Sequence, residues 1–169
     1  MTTTTYIEEI LPAYEAYFDI TTPFSTETHT YTAQAAFHSR SEKYMLMKAA
    51  KIWAMENHEY IYFAEKEQWT FTEYETLKAE TLAHGLSQVK PHSEHMYTYV
   101  TLVIVGEDLP EELVRDLEKT KFHKTFLFSL RGWCDFRLCG VDIKNQKLYT
   151  NKKGKELKVP LQKPFETKA

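Results

Sequence analysis

The residues best suited to chemistry in this sequence lie between Arg131 and Arg137. The segment reads Arg-Gly-Trp-Cys-Asp-Phe-Arg and has the composition of a β-strand. Successive side chains of a strand point to opposite faces, so its odd-numbered residues would share one face. Two guanidinium groups there could hold a phosphate or a carboxylate, and an indole could stack on a planar ring. The alternative is a solvated face with exposed Arg–Asp pairs, each worth about 0–1 kcal/mol.

A second candidate lies between His38 and Lys43, where a predicted strand gives way to a predicted helix. Open α/β sheets bind ligands at the carboxyl ends of their strands. Free amides at the helix start, with His38 and Arg40 nearby, could hold an anion. A helix capped by Ser41 with exposed charges would explain the same residues. The two segments together predict these ligand-binding residues: His38, Arg40, Arg131, Trp133, Asp135 and Arg137.

One short pattern suggests metal-dependent chemistry. Asp142-Ile143-Lys144, with Asp135 upstream, matches the acidic-x-Lys core of restriction-type nucleases. In that chemistry, carboxylates hold Mg²⁺ and the lysine steadies the attacking water. However, a separation of seven residues predicts that Asp135 and Asp142 point to opposite faces of one strand. An Asp and a Lys that form a turn before Asn145 explain the pattern more simply.

The other chemistry-bearing patterns are incomplete. His92 and His95 would share a face only on a helix, and a proline precedes them directly. The five glycines are too widely spaced to form a loop that cradles phosphates. The sequence therefore predicts no catalytic residues, no metal ligands and no cofactor.

The run from Tyr97 to Val105 is the element around which the candidate ligand-binding residues must be arranged. It carries no charge and is rich in β-branched and aromatic residues. A strand of this kind is usually buried on both faces, in the middle of a sheet that helices cover. We therefore expect it to be the central strand.

Hydrophobic periodicity predicts the remaining elements. Helices are expected over residues 6–18, 42–57, 72–89 and 108–121, and strands over 29–38, 59–64, 124–130, 134–143 and 148–150. Thr72 with Glu75 would form a capping box, and Asp108 would cap the helix that follows it. Residues 1–155 are expected to form a single domain, and residues 156–169 a flexible C-terminal tail.

This order of elements predicts an α/β (or α+β) fold. After an N-terminal helix, the elements follow as β-α-β-α-β-α-β-β. They would form a single mixed β-sheet of five to six strands, covered by three to four helices.

Composition limits the class of protein and its surroundings. A chain of 169 residues with 43% apolar content can bury a substantial core. The formal net charge of −3 gives no global attraction to nucleic acid or to acidic membranes. Only two cysteines are present, and no basic segment followed by an apolar stretch opens the chain. We therefore expect a cytoplasmic protein.

Several segments resemble a group of small uncharacterised bacterial proteins, mainly Gram-positive. They are Phe37–Tyr44, Lys90–Met96, Gly132-Trp133 and Arg137-Leu138. The resemblance covers nearly the whole chain and implies a bacterial protein. It implies no activity and supplies no functional residue.

Three hypotheses for function follow. The first is a non-enzymatic α/β domain that acts by binding or by self-association, for which a homodimer is one form. The second is a metal-dependent nuclease or phosphoryl-transfer enzyme that uses Asp135, Asp142 and Lys144. The third is a protein that binds a small anion, held by His38, Arg40, Arg131 and Arg137. The sequence favours the first, because no catalytic set is complete while Trp133 flanked by arginines suits recognition.

Overall fold

The computed structural model describes the backbone of residues 1–43 and 53–166, and the side chains of residues 1–39 and 55–166. Helix α1 (Thr3–Glu15) precedes three short strands, β1 (Asp19–Thr21), β2 (Phe24–Ser25) and β3 (Thr30–Tyr31). Strands β4 (Ala33–Lys43) and β5 (Trp53–Glu65), helix α2 (Phe71–Gln88) and strand β6 (His95–Gly106) follow. The chain continues with α3 (Glu111–Lys119), β7 (His123–Thr125), β8 (Trp133–Asp142) and β9 (Lys147–Thr150). A 3₁₀-helix (Lys152–Leu157) and α4 (Lys158–Glu166) come last.

Seven of these strands form one mixed sheet. Its order is β1-β4-β5-β6-β8-β7, and β9 pairs with the end of β8 beyond β7. Strands β5, β6 and β8 are parallel neighbours, whereas the remaining pairs are antiparallel. The predicted α/β class, the mixed sheet and the leading helix are therefore confirmed.

Helices cover the sheet on both faces. Helices α1 and α4 pack on one face, called the α1/α4 face here, and α2 and α3 pack on the other, the α2/α3 face. Val103 and Val105 of β6 lie in the first core, and Val100, Leu102 and Ile104 in the second. Each such aliphatic side chain contributes about 1.5–3 kcal/mol when fully buried. The prediction of a central strand buried on both faces is confirmed from Val100 onwards.

The predicted helix over residues 42–57 is wrong at both ends. Ala33 through Lys43 pairs with Phe63 back through Trp53 in a continuous antiparallel ladder. Residues 42–43 and 53–57 are therefore strand, and residues 44–52 lie outside the described part of the chain. Pairing between distant segments has overridden the local helical periodicity.

The predicted strand over residues 124–130 is wrong beyond Thr125. Strand β7 ends at Thr125, and a turn follows it. Leu127, Phe128 and Ser129 have φ values of 49°, 50° and 69°, which is left-handed backbone. Alternating apolar residues at 126, 128 and 130 had indicated a strand, but this backbone cannot continue one.

Two predicted helix starts are misplaced. The capping box of α2 uses Thr70 and Glu73, two residues earlier than the expected Thr72 and Glu75. Helix α3 begins after Pro110 without a side-chain cap, and Asp108 instead pairs with Lys144 at 2.8 Å.

The C-terminal segment differs from the predicted flexible tail. Leu161 and Phe165 of α4 are buried in the core of the α1/α4 face. The Tyr6 hydroxyl of α1 donates a hydrogen bond of 2.6 Å to the carbonyl of Leu161. This contact fastens α4 to α1. Within the described ranges, no helix has the length and apolar character needed to cross a membrane.

Candidate functional site

The predicted strand site lies on the α1/α4 face. There, paired residues of β5, β6 and β8 form rows that run across the three strands. Rows further along these strands are apolar and pack against α1 and α4. The rows nearest the amino ends of the strands carry aromatic and charged residues instead. These rows are Asn57–Tyr97–Trp133, Glu59–Tyr99–Asp135 and Ile61–Thr101–Arg137.

Three half-buried rings form what we call the aromatic face: Tyr97, Tyr99 and Trp133. The rings of Tyr97 and Tyr99 stack with centroids 4.5 Å apart, and Trp133 lies 5.9 Å from Tyr97. Side chains two apart on β6 share a face, and β8 brings Trp133 beside Tyr97. The aromatic face therefore offers a continuous, half-exposed surface of rings.

A buried ion pair lies beside the aromatic face. Arg137 Nη1 donates to Glu59 Oε1 at 3.1 Å, and the guanidinium carbon lies 4.8 Å from the centre of the Tyr99 ring. Burial raises the pKa of Glu59, and the charge of Arg137 opposes that rise. Only 6% of Arg137 is exposed. Its charge is therefore already neutralised and is not presented to an anion from solution.

Asp135 is likewise engaged. Its Oδ1 lies 2.6 Å from His123 Nδ1, and its Oδ2 accepts a bond of 3.2 Å from Lys153 Nζ. The structure thus brings Trp133, Asp135 and Arg137 together on one face. Arg131 is not with them, because it lies in the turn before β8.

The second predicted segment contributes to a different assembly, on the α2/α3 face. We call it the histidine cluster; it consists of His38, Glu56, His58, His92 and His95. The Nδ1 atoms of His38 and His58 are 2.8 Å apart, and the ring of His95 stacks on His58 at 6.1 Å. Glu56 Oε2 lies 2.9 Å from His92 Nε2 and 3.7 Å from His58 Nε2.

Protonation decides the contacts within the histidine cluster. Nδ1 of His95 donates to the Arg131 carbonyl at 2.7 Å, which leaves Nε2 to accept from Thr98 Oγ1 at 2.8 Å. The close approach of His38 and His58 requires that one Nδ1 carry a proton and the other none. Burial and the neighbouring His38 lower the pKa of His58, while Glu56 acts in the opposite direction.

The histidine cluster could not be recognised along the chain, because its members come from three separate segments: β4, β5 and the start of β6 with the residues just before it. Within the described residues, no group of three or more His, Cys, Asp or Glu side chains is arranged to hold a metal ion.

The predicted anion site is not assembled. His38 lies in the histidine cluster on the α2/α3 face, whereas Arg137 is buried on the α1/α4 face. The backbone of Arg40 lies in β4 opposite Glu56, and its side chain is outside the described part. Arg131 is exposed in the turn before β8. Side chains alternate between the two faces of the sheet along each strand, which places His38 and Arg137 on opposite faces.

The predicted nuclease set is also dispersed. Asp142 accepts bonds from the Asn145 backbone at 2.8 Å and from the Leu109 backbone at 3.4 Å. It is seven residues from Asp135 on one continuous strand, so the two carboxylates point to opposite faces. Lys144 pairs with Asp108. The arrangement that would support two-carboxylate metal chemistry is not formed.

Sequence reasoning missed the turn between β7 and β8. Three large side chains, called the apolar turn here, point into solvent there: 55% of Leu127, 94% of Phe128 and 73% of Leu130 is exposed. Gly132, with φ of 78°, joins the turn to Trp133. A Cβ at this glycine would lie 2.2 Å from the Met96 carbonyl oxygen, so only glycine fits without a shift.

A cavity of about 380 Å³ lies at the opposite end of the parallel strands. The end of β5, the start of α2 and the residues around β3 form its walls. Carboxylates, hydroxyl groups and apolar side chains all line it. It is a concave space of the size that small ligands occupy.

The fold and these surfaces define a mixed α/β protein with helices on both faces of the sheet. The family model described as "Domain of unknown function (DUF8052)" matches residues 2–163, so the chain belongs to that family. Comparisons with curated proteins and with solved structures give no match.

Proposed function

We propose that this protein is a non-enzymatic binding domain that docks a polypeptide partner through the apolar turn and the adjoining aromatic face. The observation that carries the proposal is the exposure of Leu127, Phe128 and Leu130 within a single turn. Single exposed apolar residues are common, but a cluster of them marks an interaction surface. Full burial of each would contribute about 1.5–3 kcal/mol.

The backbone of the apolar turn supports the proposal. Left-handed backbone costs about 1–2 kcal/mol for a residue other than glycine, and this turn holds three in succession. Such strain tends to persist where function requires it. Hydrogen bonds fix the turn, from the Phe126 amide to the Gly132 carbonyl at 2.9 Å and from the Arg131 amide to the Phe126 carbonyl at 3.1 Å. A preordered turn loses little entropy on binding.

The charges beside the apolar turn favour a partner with acidic groups. Lys124 and Arg131 flank the apolar turn, both are exposed, and neither forms an ion pair with a described residue. Lys124 Nζ lies over the ring of Phe126 at 5.6 Å. A complementary partner would offer an apolar groove with Asp or Glu at its rim. Tyr and Trp are the residues that most often dominate such interfaces, which suits the aromatic face.

We infer that the partner is met in the reducing cytoplasm of a bacterial cell. The expectation of a bacterial host rests on the resemblance described above. Cys134 and Cys139 are both free and buried, as in proteins from reducing compartments. Burial raises the pKa of each thiol to about 12, which keeps both unreactive.

Site-specific photo-crosslinking tests the docking surface. We would place p-benzoyl-phenylalanine at position 128 and irradiate cells of the organism that carries the protein. The matched control has the same label at position 159, because Val159 is an isolated apolar residue on α4 that is 73% exposed. We expect one discrete protein adduct from position 128 and none from 159. Charge reversal by Lys124→Glu and Arg131→Glu should abolish it.

Two further measurements define the outcomes. Sedimentation of the purified protein shows whether a second copy is the partner, in which case Phe128→Ser should dissociate the dimer and Val159→Ser should not. Equal labelling from positions 128 and 159, or no adduct from either, would overturn the proposal. Phe128-dependent sedimentation with vesicles of phosphatidylglycerol, without a protein adduct, would assign the apolar turn to a membrane surface and also overturn it.

A further inference from the structure

We propose that the partner covers the aromatic face with a proline-rich segment in the polyproline II conformation. The proposal rests on the polypeptide-docking function and specifies the chemistry of the partner at Tyr97, Tyr99 and Trp133. The apolar turn enters a groove of the partner, while the aromatic face receives an extended segment of it. Gly132 joins the two surfaces directly.

The three rings lie on a part of the sheet where they reach solvent. Rows further along β5, β6 and β8 are apolar and pack beneath α1 and α4, whereas each ring of the aromatic face is only half-buried. Tyr97 stacks on Tyr99, and Trp133 lies 5.9 Å from Tyr97, so the rings form one continuous surface. Proline-rich segments dock on surfaces lined by aromatic side chains, and their preformed conformation loses little entropy on binding.

The charges around the aromatic face are paired with one another. Arg137 pairs with Glu59, and Asp135 contacts both His123 and Lys153. A single strand of nucleic acid needs a cationic groove for its phosphates as well as rings on which its bases stack. These five residues leave no such groove beside the rings. An uncharged segment therefore fits the aromatic face better than a nucleic acid does.

The unpaired cations of this region are separate from the rings. Lys124 pairs in register with Cys134, which lies in the core of the α2/α3 face, so Lys124 shares that face and not the aromatic one. Arg131 lies in the turn before β8. Acidic residues next to the proline run would meet these two cations.

The hydrogen-bonding groups of the aromatic face select for proline. The hydroxyls of Tyr97 and Tyr99 and the indole N–H of Trp133 form no hydrogen bond within the described part of the chain. The indole N–H only donates, and each phenol hydroxyl can donate as well. An ordinary peptide laid over the rings would bury backbone N–H groups that need acceptors. Proline has no backbone N–H, and the carbonyls of polyproline II have no internal partner, so they can accept from these groups.

Decaproline and a Gly-Ser peptide of the same length make a matched pair of probes. Fluorescence anisotropy of the dye-labelled peptides with the full chain should show binding of decaproline and none of the Gly-Ser peptide. In NMR spectra of the full chain, decaproline should shift the backbone amide signals of Tyr97 and Tyr99. Two glutamates added to decaproline should tighten binding, and two lysines should weaken it, because Lys124 and Arg131 are nearby.

Variants of the rings test the two contributions separately. Trp133→Ala should weaken decaproline binding by about tenfold or more, the range of an anchoring indole in an interface. Tyr97→Phe keeps the ring and loses the hydroxyl, and should weaken binding by about two- to tenfold without risk to the fold. Tyr17→Ala is the matched control, because Tyr17 is an aromatic residue outside the aromatic face that is 77% exposed. It should leave the affinity unchanged.

Three results would overturn the proposal. They are equal binding of the two peptides, an unaltered affinity in both Trp133→Ala and Tyr97→Phe, and tighter binding of oligothymidine than of decaproline at Trp133. The last result would assign the rings to single-stranded nucleic acid.

The peptide titration and the photo-crosslinking at position 128 can fail separately. A discrete adduct from position 128 with no decaproline binding would overturn this proposal and leave polypeptide docking in place. Decaproline binding that depends on Trp133, without any adduct from position 128, would support the recognition of proline and overturn docking through the apolar turn.

Discussion

On the α1/α4 face, the first part of β5 and β6 carries Glu59, Tyr97 and Tyr99, whereas on the α2/α3 face the same part carries His58, His95 and Thr98. Alternation along the same two strands separates His58 and Thr98 from Glu59, Tyr97 and Tyr99, and the register shift between Glu56 and Asn57 places His95 with His58. The Glu59–Arg137 pair beside the aromatic face contains a guanidinium, which stays charged at any physiological pH. The histidine cluster contains groups that change charge between about pH 5 and 8. The comparison teaches that two faces of one sheet can differ in their response to pH.

Breaking the buried pair beside the aromatic face should have the largest effect. Arg137→Ala leaves Glu59 buried without its cation, and loss of one partner from a buried pair costs about 3–5 kcal/mol. Urea denaturation at pH 7 should show a decrease of that size in the free energy of unfolding. The double variant Arg137→Ala/Glu59→Gln removes the uncompensated charge and should recover part of the loss.

The pH dependence of this loss has a definite sign. A folded-state pKa raised above the usual 4.5 means that the stability from Glu59 is full below pH 4.5 and is lost as pH rises through the folded pKa. Removing Arg137 raises that pKa further. The deficit of Arg137→Ala should therefore be smaller at pH 5 than at pH 7.5. An equal deficit at both values would show that Glu59 does not remain buried in the variant.

Gly132 connects the two regions, so its replacement should disturb both. A Cβ there would lie 2.2 Å from the Met96 carbonyl oxygen and 2.7 Å from His95 Nδ1, on backbone with φ of 78°. Overpacking of this kind costs about 1–3 kcal/mol. We expect Gly132→Ala to lose stability in that range by thermal denaturation. It should also shift the NMR signals of both His95 and Trp133.

Ser129→Gly is the matched control for this prediction. Ser129 has φ of 69°, and glycine adopts that conformation without strain. This variant should keep or slightly increase the melting temperature and leave the His95 and Trp133 signals in place. If Gly132→Ala moved only one of the two signals, the two regions would not share this support.

The sequence was sufficient where a signal is local. An uncharged run of β-branched and aromatic residues identified β6, because burial on both faces requires that composition. Thr70 with Glu73 and Thr72 with Glu75 both satisfy the capping pattern, so the start of α2 was found to within one turn. The grouping of Trp133, Asp135 and Arg137 on one face followed from strand alternation alone.

The sequence was insufficient where distant segments decide the structure. The pairing of β4 with β5 extends through residues that have helical periodicity, and only the partner strand determines their conformation. The histidine cluster needs register between β4, β5 and β6, which no single segment encodes. The apolar turn has the alternation of a strand, and its left-handed backbone is set by hydrogen bonds to residues at its two ends.

The smallest expected effect is the pH response of the histidine cluster. Burial and His38 lower the folded pKa of His58 below its usual 6.5, whereas Glu56 raises it and His95 lowers it. The unfolded chain therefore binds more protons near pH 6, so the stability from His58 is full above pH 6.5 and is lost as pH falls through the folded pKa. Melting temperature should decrease between pH 7.5 and pH 6. The decrease should be shallower in His58→Asn.

The aromatic face supplies the control for this last prediction. Trp133→Ala should keep the wild-type slope of melting temperature against pH, because Trp133 does not titrate. Burial also lowers the pKa of His84. His84 therefore accounts for the dependence of melting temperature on pH that remains in His58→Asn. A flattened slope in Trp133→Ala, or an unchanged one in His58→Asn, would contradict the comparison. Because the Nδ1 atoms of His38 and His58 lie 2.8 Å apart between β4 and β5, protonation of His58 would act on the pairing of these strands while leaving the Glu59–Arg137 pair intact.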